Sequence, residues 1–430
     1  MTQRSQKIAI IGAGISGLAS AYFLQKHHQV SLFEANNYLG GHTNTVDIQI
    51  EQKKLSVDTG FLVFNEKTYP NLIALFAELG VDSYATDMSF GVSLNDGQLE
   101  WAGTNLDTVF AQRKNMLSPG FLRMLSEILR FNRDAESNLR LCMQSGISLG
   151  QLLKTQKYNA RFANHYLIPM AAAIWSSSPK DILEFPASTF LRFCLNHALL
   201  QVNDRPQWRT VKNGARSYVQ KIAATLKDIR LNSPVSAVSR TATGVQIESP
   251  CGVEQFDAVI FATHAPDTLR MLKDPTAEEA ALLSKVRYQA NTAYLHTDIS
   301  LLPRSKKVWS AWNYLGANSN AQDDAHAVCV SYLLNQLQRL DTETPVIVTL
   351  NPWRAPAADK VLGRFKYDHP VFDQPAIESQ RTLVSLQGKR STWFAGAWSG
   401  YGFHEDGLKS ALRVVSDFQL CPEWAILDQG

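Results

Sequence analysis

The chain has few cysteines and no long apolar run, and both absences narrow the class of protein. Its five cysteines stand singly, odd in number and without a Cys-x-x-Cys pair, so we expect no disulfide framework. Reduced core thiols are expected at Cys142, Cys194, Cys251, Cys329 and Cys421. The most apolar segment, Tyr166 to Trp175, contains Pro169 and is much shorter than the roughly 20 residues that cross a bilayer. We therefore expect a core or pocket-lining element there.

The chain also lacks a large excess of either positive or negative charge. A formal net charge of +3, with 19% charged and 45% hydrophobic residues, is typical of an ordinary globular protein and leaves no basic excess for nucleic acid. Met1 to Lys7 lead directly into a predicted strand, so we expect no signal peptide and a cytoplasmic protein. No repeat or low-complexity linker divides the chain, although 430 residues exceed one ordinary core and predict two domains.

The most informative stretch is residues 8 to 17, Ile-Ala-Ile-Ile-Gly-Ala-Gly-Ile-Ser-Gly, which combines a buried strand, a glycine-rich turn and a helix start. Gly12 allows a tight turn, Gly14 lets the backbone approach a pyrophosphate, and Gly17 lets the helix pack on the strand. A second predicted strand ends at Glu34, about 20 residues later, where an acid accepts hydrogen bonds from ribose hydroxyls. This pattern predicts an adenine-dinucleotide site.

Nucleotide signals recur at the beginning, middle and end of the chain, which predicts an α/β, doubly wound cofactor domain interrupted by insertions. The first insertion is mostly helical by pattern, and the second mixes strands with polar loops. In the first, one apolar helix face is expected from Leu122, Leu125, Ile128 and Leu129. The predicted division is 1–79, 206–269 and 386–420 for the cofactor domain, 80–205 and 270–385 for a mixed α+β substrate domain, and 421–430 for a tail.

Further segments resemble motifs of the flavin amine oxidase and phytoene desaturase superfamily. Glu34 to His42 is similar to its acid-to-double-glycine signature, and Val57 to Gly60 is similar to the strand-and-glycine motif that follows. Phe394 to Gly396, together with Glu405 to Ala411, resembles its C-terminal flavin motif. The resemblance spans the chain in the right order. It implies a Rossmann-like FAD-binding domain of the glutathione-reductase type, with FAD bound non-covalently.

The resemblance also implies which residues contact FAD. The glycine-rich turn would face the pyrophosphate, Glu34 would hold the adenosine ribose, and the backbone of Val235 would contact the adenine. The C-terminal motif would lie near the ribityl chain and ring, with its helix presenting free N–H groups to flavin oxygens. The expected set is Gly12, Gly14, Ile15, Ser16, Gly17, Glu34, Ala35, Gly41, His42, Thr59, Gly60, Val235, Gly396, Ala397, Glu405, Asp406 and Gly407.

Three strings are similar to a bacterial branch of predicted NAD/FAD-binding proteins, which resembles fatty-acyl desaturase-like flavoproteins. They are Pro169 to Ser176, Val348 to Pro352 and Gly400 to Gly407. This resemblance implies a role in lipid modification without identifying a reaction. An elongated apolar tunnel and plain core are both open interpretations of residues 162–175, Trp309, Trp312, Tyr314 and Trp353.

Three departures from the superfamily pattern bear on the chemistry. His42 follows the double glycine where amine-oxidising members commonly have arginine, and it can still donate to phosphate, though less strongly. Amine-oxidising members carry a lysine opposite flavin N5 in a strand that matches Ala290 to Tyr294. This chain has no lysine there. His404 stands where those enzymes place a tyrosine of the amine cage. It is the predicted catalytic residue, because imidazole carries protons near neutral pH, and a role that only shapes the site is the alternative.

Other polar residues allow two interpretations. Asp58 either orients the flavin region or forms a turn. Glu405 and Asp406 could transfer protons, but their place at a helix start favours capping. No metal is predicted, because His165, His197 and His264 show no metal-ligand spacing.

Together these observations predict an FAD-dependent oxidoreductase that passes a hydride to flavin N5 from a C–H bond next to an alkene or heteroatom. The expected substrate is apolar, an acyl lipid first and a secondary or aromatic amine second. Two other classes stay open, an NAD-dependent dehydrogenase and a redox-inert flavin-binding partner of a lipid-modifying enzyme. We expect an apolar small-molecule or lipid partner and no nucleic acid. Association with a membrane surface or a lipid enzyme, and the oligomeric state, stay open.

Overall fold

A computed structural model describes residues 4–201, 205–316 and 328–427. Its central sheet is built from five parallel strands that lie far apart in the chain. In spatial order they are β10 (Ile229–Arg230), β2 (Gln29–Phe33), β1 (Lys7–Ile11), β14 (Ala258–Phe261) and β20 (Thr392–Phe394). β14 is buried throughout and β1 nearly so, as expected for apolar parallel strands covered on both faces. The predicted α/β doubly wound fold is confirmed.

One face of the central sheet carries α1 (Ile15–Leu24), α2 (Pro70–Leu79), α11 (Arg216–Ala223) and α16 (His404–Asp417). The first and last of these helices pack on each other, and the Ser16 hydroxyl donates to the Gly407 carbonyl at 2.8 Å. A Cβ on Gly407 would lie 2.7 Å from Ile15 Cγ2, so a larger residue would push the helices apart. This contact brings the two ends of the chain together.

The opposite face carries an antiparallel sheet and two short helices. These are β11 (Ala237–Thr241), β12 (Gly244–Ser249), β13 (Gly252–Phe256), α12 (Ala265–Met271) and α13 (Ala277–Leu283). Arg240, whose side chain is 1% exposed, donates to Glu279 at 2.5 Å and to Asp274 at 3.1 Å. Removing either carboxylate would leave a buried guanidinium without a full set of partners, so this pair fixes how α13 sits on the sheet.

The second large sheet has seven strands. In spatial order they are β19 (Val361–Val371), β15 (Arg287–His296), β18 (Ile347–Leu350), β17 (Cys329–Leu333), β16 (Trp312–Gly316), β7 (Phe90–Leu94) and β8 (Leu99–Ala102). Neighbouring strands are antiparallel except the parallel pair β7 and β16. The expected mixed α+β substrate domain is thus organised around one sheet, which receives strands from both insertions.

Helices of the first insertion cover this sheet. They are α3 (Leu106–Val109), α4 (Pro119–Arg133), α5 (Ala135–Ser145), α6 (Leu149–Thr155), α7 (Ala160–Phe162), α8 (Ile168–Trp175), α9 (Pro179–Glu184) and α10 (Ala187–Asn196). A π-helical turn at Ala163–Leu167 joins α7 to α8. Their apolar faces and β7, β8 and β16 form one core.

Ser148 of a Gly-x-Ser-x-Gly string, residues 146–150, caps α6 by accepting from Gln151 N at 3.3 Å. That serine is a helix cap and lies outside the strand-to-helix elbow of a hydrolase nucleophile.

Two details of this insertion differ from the sequence prediction. It contributes β6 (Ser83–Thr86), β7 and β8 as well as helices; β7 forms a hairpin with β8 and joins the large sheet through the distant pairing of Phe90 with Trp312. On α4, Leu122 and Leu129 are 43% and 60% exposed, so the prediction was wrong for these two residues, whereas Leu125 and Ile128 are partly buried against the core as predicted. Phe121 and Phe131 bury the neighbouring stripe instead, since larger aromatic side chains remove more apolar area from water.

The remaining elements connect the two domains. They are the hairpin β3 (Thr45–Ile50) and β4 (Lys53–Asp58), the small sheet β5 (Phe64–Asn65), β9 (Trp208–Val211) and β6, and the helices α14 (Leu334–Leu337) and α15 (Gln374–Leu383).

All five cysteines are free, and Cys142, Cys194 and Cys329 are buried. Cys251 is exposed in the turn between β12 and β13, so the expectation of a core thiol was wrong there. Within the described ranges, no helix has the length and apolarity needed to cross a bilayer.

Gly17 provides a test of the packing between α1 and the central sheet. A Cβ at this position would lie 1.8 Å from the Gly12 carbonyl oxygen, which is backbone and cannot turn away. We expect Gly17→Ala to lower the free energy of unfolding by about 3 kcal/mol or more, at the upper end for overpacking. A Cβ on Gly103 meets nothing within 4 Å, so Gly103→Ala is the matched control and should change stability little. Chemical denaturation measures both, and equal stabilities would contradict the packing argument.

Candidate functional site

One cleft of about 660 Å³ lies at the carboxyl ends of β1, β2 and β14, between the two large sheets. Its wall includes Ile11 and Phe33 from the central sheet, and Tyr332 and Leu350 from the seven-stranded sheet. The carboxyl edge of an open parallel sheet is where such folds bind ligands, and the volume is typical of cofactor pockets. The candidate site is therefore an inter-domain cleft.

The glycine-rich turn forms one end of the cleft. Gly12 has φ +99°, and a Cβ there would lie 2.5 Å from the Ala262 carbonyl oxygen. At Gly14 a Cβ would meet nothing within 4 Å, so the backbone before α1 is open to the cleft. Since free N–H groups and the helix dipole favour anions at a helix N-terminus, this end suits a phosphate group.

Glu34 is fixed beside that turn at the end of β2. It is only 7% exposed, and its Oε2 accepts from Ala13 N at 2.9 Å. Its Oε1 accepts from the backbone and side-chain nitrogens of Asn36, both at 2.9 Å. A carboxylate has about four lone-pair sites, so about one stays available to a ligand hydroxyl.

Most residues of the expected cofactor set line the cleft. These are Gly12, Gly14, Ile15, Ser16, Glu34, Ala35, Gly41, His42, Thr59, Gly60, Val235, Gly396 and Ala397. Gly17, Glu405, Asp406 and Gly407 are outside the lining. Ser16 turns its hydroxyl to the Gly407 carbonyl, so its backbone is the part that remains for a ligand. Ligand contacts at all these positions stay predictions.

The two acids before Gly407 cap helices. Glu405 accepts from Asn71 N at 3.1 Å and from Leu72 N at 3.0 Å, which satisfies free N–H groups at the start of α2. Asp406 accepts from Phe403 N at 2.9 Å at the start of α16. Burial raises the pKa of Asp406 to about 6. Both contacts match the capping alternative, and neither carboxylate is directed into the cleft.

Asp58 is a buried connection between domains rather than part of the cleft wall. Its carboxylate accepts from Thr45 Oγ1 at 2.5 Å, from Ala215 N at 3.0 Å and from Gln338 Nε2 at 2.9 Å. Burial raises its pKa to about 7, although these hydrogen bonds act in the opposite direction. The residue ties β4 to the start of α11 and to α14, which positions the strand before Thr59 and Gly60.

His404, the predicted catalytic residue, lines the cleft but has little freedom to exchange protons. Its Nε2 is 2.8 Å from Tyr218 Oη and 2.9 Å from Thr43 Oγ1, and its ring stacks on Phe61 at 3.7 Å. Burial lowers its pKa to about 3. A ring that is neutral at physiological pH and already hydrogen-bonded is a poor general base, so the geometry favours the shaping role.

Sequence reasoning missed a cluster of three histidines in the cleft. The His42 ring lies 5.2 Å from that of His369 and 6.5 Å from that of His264. These residues come from three distant segments, so sequence spacing gave no signal of the cluster. Burial lowers the pKa of His42 well below its ordinary value and that of His369 to about 4. No group of acids, cysteines and histidines in the described part of the chain could hold a metal ion.

A hydrogen-bond relay sets the tautomer of His369. The backbone N–H of Thr292 donates to Asn351 Oδ1 at 2.9 Å, so Asn351 Nδ2 faces and donates to Asn291 Oδ1 at 2.6 Å. Asn291 Nδ2 then donates to His369 Nδ1 at 2.9 Å. Because Nδ1 accepts, the proton of the neutral ring is on Nε2. Residues 290–294, which lack the lysine of the amine oxidases, thus fix His369 on the neighbouring strand as an N–H donor.

The other end of the cleft, here called the apolar lobe, is aromatic and aliphatic. Its residues are Met88, Ile174, Trp175, Trp208, Trp312, Tyr332, Val348, Leu350, Phe372, Tyr401 and Phe403. Among the described lining residues, the acids and bases other than histidine and tyrosine are Glu34, Asp267, Arg270 and Asp368. None of these four belongs to the apolar lobe. Of the predicted tunnel residues, Ile174, Trp175 and Trp312 line it, whereas Trp309, Tyr314 and Trp353 do not.

Comparison with known proteins gives a family and a fold. A family model described as flavin containing amine oxidoreductase matches residues 15–417. A search of curated proteins finds no match. A solved CLA-producing fatty acid isomerase from P. acnes superposes with a TM-score of 0.70 at 15% identity, covering 97% of this chain and 100% of that chain. Putrescine oxidase bound to putrescine gives 0.67 at 15% identity, with 96% and 99% covered. Cyclohexylamine oxidase from Brevibacterium oxydans IH-35A gives 0.65 at 15% identity, with 96% and 100% covered.

The buried histidines predict how stability depends on pH. The pKa of His404 is about 3 in the folded chain, below its ordinary 6.5, so the unfolded chain binds more protons between these values. We expect each such histidine to make the free energy of unfolding of the cofactor-free chain fall as the pH drops from about 6.5 toward 4, whereas the raised pKa values of Asp58 and Asp406 act in the opposite sense. Urea denaturation at a series of pH values measures this fall. It should be shallower in His404→Phe and unchanged in His27→Gln, an exposed control; identical slopes in all three proteins would contradict the burial argument.

Proposed function

The chain belongs to the flavin-containing amine oxidoreductase family, and from this premise we propose that this FAD-dependent oxidoreductase removes a hydride from a C–H bond of an apolar, acyl-lipid substrate. The reacting bond lies next to an alkene or heteroatom, which weakens it. The observation that carries the proposal is the apolar lobe, which has no ionised side chain in the described part of its wall. One structural neighbour is described as a fatty acid isomerase and another as a putrescine oxidase, so the fold alone leaves the substrate class undecided.

The residues of the cleft fit FAD. The backbone at Gly14 is open, Glu34 keeps a free acceptor site, and the Nε2 atom of His42 is buried without a partner. These groups would hold the pyrophosphate and the ribose at the end formed by β1, β2 and α1. When bound, FAD supplies at N5 the acceptor for a hydride. The chain itself binds and orients the substrate and keeps water out of the lobe.

The apolar lobe favours an acyl chain over a charged amine. An ammonium group would lose its hydration there without gaining a carboxylate partner, which is costly in a low-dielectric site. A hydrocarbon chain loses nothing on entry and buries apolar surface. The lobe wall includes Trp312, whose Nε1–H is buried and has no hydrogen-bond partner. It suits a single carbonyl acceptor such as that of an acyl ester.

His404 acts in this proposal as a positioning residue. Its ring fills the wall between Phe61 and the hydroxyls of Tyr218 and Thr43, and it holds both hydroxyls away from the substrate. Once the hydride has left, the neighbouring carbon of the substrate loses its proton to water at the open edge of the cleft, so no strong base on the protein is required. The lobe therefore selects the substrate, while His404 maintains the shape of the junction with the cofactor end.

Anaerobic reduction of the bound flavin tests the substrate class. We expect phospholipids with unsaturated acyl chains to bleach the flavin absorbance, and amines to leave it unchanged. Ile174→Glu places a carboxylate in the lobe and should slow reduction by acyl lipid at least tenfold, or about 1.4 kcal/mol of activation free energy. Val253→Glu is the control, because Val253 is 65% exposed on β13 and far from the cleft in the fold.

The outcomes separate the alternatives. Bleaching by amines alone would reject the acyl substrate in favour of an amine oxidase. A bound flavin that no donor reduces would support a redox-inert partner of a lipid enzyme. Normal FAD content in Ile174→Glu shows that a slower reaction comes from the substrate end of the cleft. A colourless protein that binds NADH would overturn the cofactor as well as the reaction.

We also propose that the protein takes its substrate from an anionic bilayer surface. Leu117 is 87% exposed, Leu106 is 76% exposed and Met116 is 51% exposed, which is unusual for large apolar side chains in one short segment. Exposed Arg113 and Lys114 lie between them; Arg113 pairs with Asp107 of the same segment, and Lys307 also pairs with Asp107, so the segment and Lys307 together keep a basic excess. Apolar side chains flanked by basic groups suit the interface of a membrane with negatively charged headgroups.

Cosedimentation with vesicles tests this surface. We expect binding to phosphatidylcholine vesicles containing phosphatidylglycerol, and much weaker binding to pure phosphatidylcholine. Leu117→Asp should raise the apparent dissociation constant for vesicles about tenfold, or about 1.4 kcal/mol. Val384→Asp is the matched control, since Val384 is 75% exposed elsewhere on the surface. Equal binding by both variants, or self-association that only Leu117→Asp abolishes, would contradict the proposal.

A further inference from the structure

Two side-chain amides beside the cleft are each fixed by a backbone group. The backbone N–H of Thr292 donates to Asn351 Oδ1 at 2.9 Å, which leaves Asn351 Nδ2 to donate to Asn291 Oδ1 at 2.6 Å. Asn291 Nδ2 donates to the backbone carbonyl of Gln289 at 3.0 Å and to His369 Nδ1 at 2.9 Å. A backbone N–H can only donate and a backbone carbonyl can only accept, so both amide orientations are determined. His369 Nδ1 therefore accepts, and Nε2 carries the proton of the neutral ring.

The N–H group of His369 opens into the cleft. The residue is partly exposed and belongs to the cleft wall. Asn291 covers the Nδ1 side of the ring, and the centre of the His42 ring lies 5.2 Å from its centre. Nε2 forms no hydrogen bond with the described residues, and it is not among the enclosed polar atoms that lack a partner. An accessible N–H donor is thus available to a bound ligand.

His369 stands between the two ends of the cleft. Its neighbour His42 directly follows the loop that contacts the glycine-rich turn at the phosphate end. Phe372, three residues further along the chain, belongs to the apolar lobe. Asn351, where the hydrogen-bond relay begins, directly follows Leu350 of the same lobe. A ligand that extends from the phosphate end to the lobe therefore passes the N–H group of His369.

We propose that His369 donates a hydrogen bond from Nε2–H to the flavin ring of FAD, at a ring atom that gains negative charge when the flavin is reduced. The flavin ring carries nitrogen and carbonyl acceptors, whereas a hydrocarbon chain in the apolar lobe has none. Asn291 and Asn351 are positioning residues, because they act only through the tautomer of His369. No proton moves and no covalent bond forms or breaks in this contact. The contact depends on the FAD cofactor of the family and not on the proposed acyl substrate.

The donor makes the bound flavin easier to reduce. Acceptance of a hydride adds negative charge to the ring, and a hydrogen bond to a charged acceptor is about twice as strong as one between neutral groups. A fixed N–H donor in a site shielded from water therefore binds reduced FAD more tightly than oxidised FAD. The tautomer decides this effect, because the opposite tautomer would place a lone pair of His369 against the same ring atom.

Reduction potentials of the holoenzymes, measured by anaerobic titration against a redox dye, test the contact. His369→Leu removes the donor and should lower the relative affinity for reduced over oxidised FAD at least tenfold, which makes the potential more negative by about 30 mV for a two-electron couple. His369→Gln keeps an N–H donor and should stay close to the natural chain. His28→Leu is the matched control and should leave the potential unchanged, since His28 is buried at the amino end of β2, away from the cleft.

Nitrogen NMR of histidine-labelled protein gives a readout that does not depend on the potential. The His369 signals are assigned by their absence from His369→Gln. In the natural chain we expect a protonated Nε2 and an unprotonated Nδ1, with the Nε2–H signal shifted when FAD binds. Asn291→Leu removes the donor to Nδ1 and should give a mixture of both tautomers. A protonated Nδ1 on His369 in the natural chain would overturn the inference.

The potentials separate this contact from a structural role of His369. An unchanged or less negative potential in His369→Leu, at normal FAD content, would overturn the inference, and so would an equal shift in His28→Leu. If His369→Leu does not retain FAD, the natural chain decides, because an Nε2–H signal that FAD leaves unshifted contradicts the contact. Failure of acyl lipids to bleach the flavin, with the expected potentials and NMR signals in place, counts against the substrate proposal alone.

Discussion

The contact between the first and last helices is the interaction on which the rest of the structure depends. The Ser16 hydroxyl donates to the Gly407 carbonyl at 2.8 Å, and Ser410 Oγ accepts from Gly396 N at 2.8 Å. The first of these bonds joins residues 391 positions apart in the chain. Because Gly407 has no side chain, Ile15 can pack directly against α16. The N-termini of both helices are thereby held at the same edge of the central sheet, where the cleft opens.

A second constraint comes from buried polar groups that join the two domains. Asp58 is bonded to Gln338, and Thr59 Oγ1 lies 2.6 Å from Tyr367 Oη. Such groups are costly to bury without partners, so they specify one relative placement of the sheets. The same burial lowers the pKa values of His42, His369 and His404. The cleft thus has a polar end suited to an anionic cofactor and an apolar end suited to a hydrocarbon.

The parts that sequence reasoning predicted well are those set by local pattern. The strand before Gly12, the tight turn at Gly12, the close packing at Gly17 and the place of Glu34 at the end of β2 each follow from a short motif whose physical demands are strict, while their ligand contacts stay predictions. The parts that it missed depend on partners distant in sequence. β7 pairs locally with β8 but also with the distant β16, which joins it to the large sheet, and His42 meets His369 only after both domains have formed. On α4 the apolar pattern allowed two adjacent stripes, and contact with the helical core selected Phe121 over Leu122.

A crystal structure of the FAD-bound protein is the most direct test of the central claim, that contact between the chain's two ends builds a cleft with one phosphate end and one flavin end. The account predicts the pyrophosphate at Gly14 and Gly41, with the isoalloxazine ring between Ala397 and the apolar lobe. FAD bound in the opposite direction, or at a place outside this cleft, would contradict it.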